Sequence, residues 1–518
     1  MLIITLSFLW FIRETKAVLF WLYLWQLKEY RIPRFLDHFR TEKGRQLLLN
    51  KICLLKLLFL FIFIYWYLVA DDLTLEAFIS LFGLLVIYSI EDLKILKDFF
   101  QRRIKTPVFT KKIIFLLSFI GLILAIFLYF IFHEDLNLVI SIVAFDLFTP
   151  IIISSIVLLF QPLAILGRNQ IIKRAIRKRE QFKNLLVIGI TGSYGKTSTK
   201  EFLYAILSEK FNVLKTKEHQ NTEMGVSQCV LNNLKPEHQI FIVEMGAYCQ
   251  GEIKLLCDIT KPKIGILTGI SEQHLALFGS LDNIIRAKFE LIENLPADGT
   301  AFFNARNRYC VELYQKTPHQ NKFGTGQAKI KKFLYGENVE LSGLENIEGA
   351  KMVARELGMT DGEISKALEK IENKFAGIQF KKGINGLKVI DATYSANPDG
   401  VIAHLEYLKT LRQAQGKLVV VMPCLIELGK ATIEVHKRIG QKIGEVCDLS
   451  IITTKERFKE IKEGAASAKA LASQVGEKVL FLENPKEIFE KIKNFCKEGD
   501  VVLLESRVPS QLISLLLQ

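Results

Sequence analysis

The chain contains no Cys-x-x-Cys pair, and its eight cysteines are scattered without repeated spacing. That argues against a zinc site or a disulfide framework and fits a reducing compartment. A polar, basic leader is also missing. Residues 1–10 are already strongly apolar, so the N-terminus does not read as a typical signal peptide. Negative charge is scarce: the net charge is +14 over 518 residues, which alone would suggest a nucleic-acid partner. Much of the excess lies in short loops between apolar runs. Membrane topology accounts for it more simply, and no nucleic-acid partner is expected. Glycine is lacking where the common phosphate loop G-x-x-x-x-G-K-[ST] requires it, since Ile190 stands there.

What is present divides sharply. Half of the residues are hydrophobic, and most of the apolar excess precedes residue 165. Four segments are long and apolar enough to span a bilayer, at 52–70, 75–91, 113–132 and 138–160, the second being the shortest. Residues 1–27, interrupted by Arg13, Glu14 and Lys16, read as a fifth spanning or interfacial helix. The loops 28–51 and 92–112 are rich in Lys and Arg, whereas Asp71-Asp72 and His133-Glu134-Asp135 are short and acidic. Basic loops stay on the cytoplasmic side, so the chain from 183 onward should face the cytoplasm from a multi-pass inner-membrane anchor. Asp146, close to Pro150, falls inside the last span. It is either a functional carboxylate or a hydrogen-bonding partner of a neighbouring helix or of backbone freed by the proline.

Leu185–Ile190 reads as a buried strand, and Thr197–Leu207 as a helix. Between them lies the compact loop Thr191-Gly-Ser-Tyr-Gly-Lys-Thr-Ser198. Strand, glycine loop, Lys-Thr and helix form the context of a phosphate site, with amide groups at the helix start facing the anion. Gly192, Ser193, Gly195, Lys196, Thr197 and Ser198 are therefore candidate nucleotide-binding residues, with Lys196 for the phosphates and the Thr197 hydroxyl for Mg²⁺. Two later strands end in Glu244 and just before Ser271-Glu-Gln-His274. In an open parallel sheet these ends share one rim. Taken singly, Glu244 reads as a surface carboxylate and His274 as a helix cap; the ordered series favours a joint site.

These residues, in this order, resemble the Mur ligase family of ATP-dependent amide ligases, from about 183 to the C-terminus. The resemblance rests on the G-x-x-G-K-T loop, Asn221-Thr-Glu-Met-Gly225, Glu244-Met-Gly-Ala247 with Gly251-Glu252, and His274-Leu-Ala-Leu-Phe-Gly-Ser280. It continues through Ala287-Lys288-Phe-Glu290, Asp391-Ala-Thr-Tyr-Ser-Ala-Asn-Pro-Asp399 and Glu427-Leu-Gly429 with His436. The branch that adds a dipeptide to a muramyl tripeptide matches best.

The resemblance implies catalytic roles for Lys196, His274 and Lys288, with Lys288 carbamylated. It implies metal ligation by Thr197, Glu244, His274 and Lys288, and nucleotide contacts from Asn304, Asp391 and Asn397. ATP and Mg²⁺ are the implied cofactors. A muramyl peptide or other carboxylate, with an amino acid or dipeptide, are the implied substrates in peptidoglycan precursor synthesis. The apolar helices occupy the place of the family's uridine-nucleotide domain.

The departures fall at Gly377-Ile378-Gln379, where the family has G-R-x-E, and at Arg306, Ala392, Ser395 and Met422-Pro423-Cys424. Two alternatives follow: a ligase subunit resembling that of poly-γ-glutamate synthase, or a nucleotide-binding membrane scaffold without turnover. The expected architecture is multi-domain. A helical transmembrane domain covers 1–165 and a basic linker 166–182. A central α/β P-loop ATPase domain follows at 183–376, and a Rossmann-like α/β domain at 377–518, with strands at Leu387–Ile390, Leu418–Val421, Leu449–Thr453, Val479–Leu482 and Val501–Leu504.

Overall fold

Apolar length decides the first part of the molecule. In the computed structural model the described residues are 2–69, 75–133, 138–217, 220–318, 330–339, 344–369, 379–393, 397–411, 416–468 and 478–517. The chain divides into two compact units, 1–167 and 168–518. The first is helical throughout its long elements, Leu2–Leu27, Lys51–Val69, Leu75–Phe100, Lys111–His133 and Leu138–Leu159. Three stretches among the described residues are long and apolar enough to cross a membrane: Gly44–Val69, Lys111–Ile131 and Leu138–Leu159. The span expected at 75–91 is not one of them, because its helix runs on through Glu91, Asp92, Lys94, Lys97 and Asp98. Nor is the helix Leu2–Leu27, with its three charges. The acidic loops at 71–72 and 134–135 lie outside the described residues.

Some charges of this unit, Glu14, Lys56 and Asp146 among them, are buried. Asp146 accepts from Lys56 Nζ (2.6 Å) and Tyr88 Oη (2.9 Å) and pairs with Arg13, while Lys56 also meets Glu91 (2.5 Å). Of the readings left open for Asp146, the partnership with neighbouring helices is the one observed. Large apolar side chains such as Phe61, Tyr65, Leu122, Ile126 and Ile151 point outward. A single charge in mid-bilayer costs on the order of 3 kcal/mol, a cost that mutual pairing of this kind would offset in a membrane.

The second unit holds two six-stranded sheets. The first comprises β1 (Leu186–Thr191), β2 (Val213–Lys215), β3 (Ile240–Met245), β4 (Ile264–Leu267), β5 (Thr300–Asn304) and β6 (Lys331–Tyr335), all parallel in the order β2-β3-β1-β4-β5-β6. Its central strands β1, β3, β4 and β5 are buried almost throughout, as strands with helices on both faces are, while β2 and β6 are only partly buried. The strand order reverses direction at β1, flanked by β3 and β4, and this switch point is where such sheets open a crevice. The second sheet comprises β7 (Gln379–Lys382), β8 (Lys388–Ala392), β9 (Leu418–Met422), β10 (Leu449–Ile452), β11 (Val479–Phe481) and β12 (Val501–Glu505), ordered β11-β10-β9-β12-β8-β7. All five expected strands are present. The sixth, β7, pairs antiparallel with β8 at the edge.

The stretch read as a basic linker is helix Gln161–Glu180. Ile172 and Ala175 enter the core of the second unit, and Arg179 donates to the carbonyls of Thr260 (2.9 Å), Phe182 (2.9 Å) and Leu185 (3.2 Å). Charge density masked its apolar stripe. Of the noted departures from the family pattern, Gly377, Ile378 and Ser395 lie outside the described residues.

Candidate active site

The loop after β1 stands at the switch point. Gly195 caps the helix Lys196–Leu207 in the left-handed region (φ 78°), where a side chain would be strained, leaving the first amides of the helix unbonded within it. The loop is pinned from β4: Ser193 N–H donates to Gly269 O (2.6 Å), Ser271 N–H donates to Ser193 Oγ (3.1 Å), and Thr268 Oγ1 donates to Tyr194 O. A Cβ at Gly192 would collide with Thr268. Lys196 bends back, its Nζ donating to Gly192 O (2.6 Å). Removal from water pulls this ammonium below the usual lysine range, with Glu244 opposing. Ser198 lies in the first turn of the same helix.

Glu244 ends β3, in register with Ile190 of β1, and is buried. Its carboxylate accepts from Thr197 Oγ1 (3.0 Å), Lys200 Nζ (3.0 Å) and Asn221 Nδ2 (3.2 Å). Burial alone would push its carboxyl up. Lys200 and Lys196, with the hydrogen bonds, outweigh that and hold it below the usual carboxylate range. Lys200 is fully buried and was not picked out from sequence. Its signal is position: four residues after Lys196, it shares that residue's helix face.

His274 follows β4 with a left-handed backbone (φ 61°) and caps the short turn Leu275–Phe278. Its Nδ1 lies 2.6 Å from Glu427 Oε2, and its ring meets Tyr248 edge-on at 4.8 Å between centroids. Burial draws the imidazole below its ordinary range, against the pull of Glu427. Lys288, on helix Leu281–Glu293, is buried with its Nζ 3.5 Å from Ala247 O. Burial first, and Lys196 second, lower its pKa to about 7.

The other expected residues serve local ends. Asn304 ends β5 and uses both faces of its amide: Nδ2 donates to Thr268 O (2.7 Å) and Oδ1 accepts from Arg306 N–H (2.9 Å). Asp391 ends β8 and accepts from Lys381 Nζ (2.6 Å) and Thr393 Oγ1 (2.6 Å), within the second sheet. Asn397 Oδ1 accepts from Gly400 N–H (2.7 Å), capping helix Pro398–Leu411. His436 is buried, its Nε2 accepting from Leu425 N–H (3.0 Å). Thus Lys196, Thr197 and Glu244 come together, while Asp391 and Asn397 are held by their own domain.

Each residue of the metal set implied by the resemblance has a protein partner in the structure. Thr197 and Glu244 share a hydrogen bond, whereas His274 is committed to Glu427 and Lys288 approaches a carbonyl. Among the described residues no three His, Cys, Asp or Glu side chains are grouped to hold a metal. A hydroxyl and a carboxylate beside a phosphate loop still suit Mg²⁺, which takes few protein oxygens and completes its shell with phosphates and water. The residues fit.

A phosphate-type loop at the switch point of a parallel sheet, with a second α/β sheet in the same unit, defines a two-domain P-loop protein. Residues 190–355 match the Mur ligase middle domain and 378–507 the Mur ligase glutamate ligase domain. The chain belongs to the Mur ligase family. It is 33% identical over 281 residues to the UDP-N-acetylmuramoyl-tripeptide–D-alanyl-D-alanine ligase of Synechocystis sp., covering 51% of this chain and 60% of that one. With the ligase of the same description from Bacillus subtilis it shares 27% identity, over 62% of this chain and 72% of the relative. The fold is similar to MurF from Acinetobacter baumannii, at TM-score 0.56 and 24% identity, covering 67% of this chain and 80% of that one. It is likewise similar to MurF from Thermotoga maritima in complex with ADP, at TM-score 0.53 and 24% identity, covering 67% and 83%.

Proposed function

We propose that this chain is an ATP-dependent carboxylate–amine ligase held at the cytoplasmic membrane by its N-terminal helices, with the ligase domains in the cytoplasm. The observation that carries the reading is the contact of Thr197, on the phosphate loop, with Glu244, on the next strand, at 3.0 Å. ATP supplies the phosphoryl group that activates the carboxylate for attack by an amine.

This chain's residues do the positioning. The amides at the start of helix Lys196–Leu207 face the phosphates, and Lys196 exchanges its carbonyl contact for phosphate oxygens. Thr197 and Glu244 would hold Mg²⁺ through their side-chain oxygens, and Lys200 keeps Glu244 ionised and aimed. Lys288, brought to about 7, is in good part a neutral amine at pH 7, the form that reacts with carbon dioxide. Carbamylation would turn a buried cation into an anion facing the same site. Asn304 braces the β4–β5 rim, and Asp391 and Asn397 belong to the rim of the second sheet.

The substrates are a muramyl peptide carboxylate and D-alanyl-D-alanine, as in the descriptions of the relatives, in peptidoglycan precursor synthesis. The three apolar stretches favour one alternative, a membrane-bound ligase that extends a glutamate polymer. The test is full-length protein in detergent with ATP, Mg²⁺ and acceptor pairs, following phosphate release. Release that depends on a muramyl tripeptide and D-alanyl-D-alanine supports the reading. Release with glutamate alone selects the polymer enzyme, and tight ATP binding without acceptor-dependent release leaves a scaffold.

A further inference from the structure

His274 and Glu427 belong to different domains, and both depart from ordinary backbone. His274 has φ 61° and Glu427 φ 64°, left-handed conformations that strain a non-glycine residue. Two such residues in contact call for a reason. The contact is two-fold: Nδ1 of His274 meets Glu427 Oε2 at 2.6 Å, and Ala276 N–H donates to the Glu427 carbonyl at 3.0 Å. The Glu427 side chain is only 8% exposed. Two residues on, Gly429 (φ 54°) brings its backbone so close that a Cβ would lie 3.2 Å from Ala276 Cα. A second bridge crosses the same seam, with Arg438 Nη2 3.5 Å from Glu272, while Asp399 of its own domain lies 3.9 Å from the same nitrogen.

We propose that Glu427 is a positioning residue that acts only when the C-terminal domain is docked, and that it sets the orientation of His274 beside the phosphate loop. This rests on the ligase reading above. A carboxylate cannot donate, so the Nδ1 it faces carries hydrogen, and in the neutral ring Nε2 is left as the acceptor. A carboxylate behind an imidazole fixes ring and tautomer in this way wherever the opposite nitrogen must meet a ligand. Here the carboxylate arrives from the other domain. Undocked, His274 loses its orienting partner, and the turn Leu275–Phe278 loses the carbonyl that holds Ala276. Closure and completion of the site are therefore one event. Tyr248, edge-on to the ring, limits the remaining rotation.

The test uses the full chain with ATP and Mg²⁺. Hydrogen–deuterium exchange follows the peptide 274–280, and steady-state kinetics follow phosphate release. Glu427→Ala should speed exchange in 274–280 by about tenfold while the sheet peptides keep their protection. It should lower kcat by about tenfold or more with KM for ATP nearly unchanged, the pattern of a lost orienting contact rather than of lost binding. Glu427→Gln keeps an acceptor for Nδ1–H and should restore both readouts most of the way. Unchanged exchange in Glu427→Ala overturns the proposal, and so does a kcat that Glu427→Gln fails to recover. If wild-type protein turns over no acceptor pair, the ligase reading falls, and the exchange experiment still decides whether Glu427 holds the turn.

Discussion

Replacing Lys200 with Met removes the one fully buried cation bonded to Glu244 while keeping similar bulk. The two side chains are 0% and 4% exposed, so the surviving carboxylate cannot turn to water. Breaking a buried pair from one side costs about 3–5 kcal/mol. Glu244 keeps Thr197 and Asn221 as donors, and Lys196 remains close, which places the expected loss at the lower end, about 3 kcal/mol. The cysteines Cys257 and Cys310 are buried in the second unit, so thiol labelling along a urea series reports its unfolding. All four tryptophans, Trp10, Trp21, Trp25 and Trp66, lie in the first unit, and their fluorescence should not move.

Adding Glu244→Leu to Lys200→Met should return stability to within about 1 kcal/mol of wild type, because an apolar pair replaces an ionic one. Glu244 is held below its ordinary 4.5, so its stabilisation is present above that value and lost as pH falls through the folded value; Lys200→Met should flatten that acid limb. Equal urea midpoints for wild type and Lys200→Met, or no recovery in the double variant, would refute the argument.

Lys288→Met should stabilise the second unit at pH 7, since a lysine lowered to about 7 from 10.5 opposes folding increasingly as pH drops across that window; the gain in thiol protection should vanish toward pH 10.5. If Lys288 is carbamylated, carbon-13 bicarbonate should yield a carbamate NMR signal in wild type that Lys288→Met lacks. Asp146→Asn leaves Lys56 and Arg13 short of a carboxylate and should weaken the first unit by about 3 kcal/mol, read by tryptophan fluorescence in detergent, with thiol labelling unchanged. Lys196→Ala should weaken ATP binding about tenfold or more by calorimetry while the sheet stays folded, its Nζ being tied only to loop carbonyls and not to the core.

Particular elements show how far pattern alone reaches. β1, β3 and β4 of the first sheet and β8 to β12 of the second are legible because parallel strands covered on both faces are short, unbroken apolar runs, and the expected and observed limits differ by a residue or two, whereas β2, β5 and β6 are not singled out by the sequence. β7 was not legible. Gln379-Phe-Lys-Lys382 is polar, and it becomes a strand only because β8 offers an open edge. The helix Gln161–Glu180 was hidden for the opposite reason: its basic face dominates the composition, and its apolar stripe matters only where a core stands ready to receive it.

The sequence by itself determined the membrane-length apolar stretches, the glycine loop with its Lys-Thr, and the strand ends carrying Glu244 and His274, because each is a local matter of chain length, backbone freedom or strand period. Only the tertiary structure decided partners. Lys200 reaches Glu244 from another element, Arg13 and Lys56 enclose Asp146, and Glu427 meets His274 from 153 residues away. A buried charge is tolerable only with an opposite charge or a donor beside it, and no spacing along a chain states which distant side chain folding will bring there.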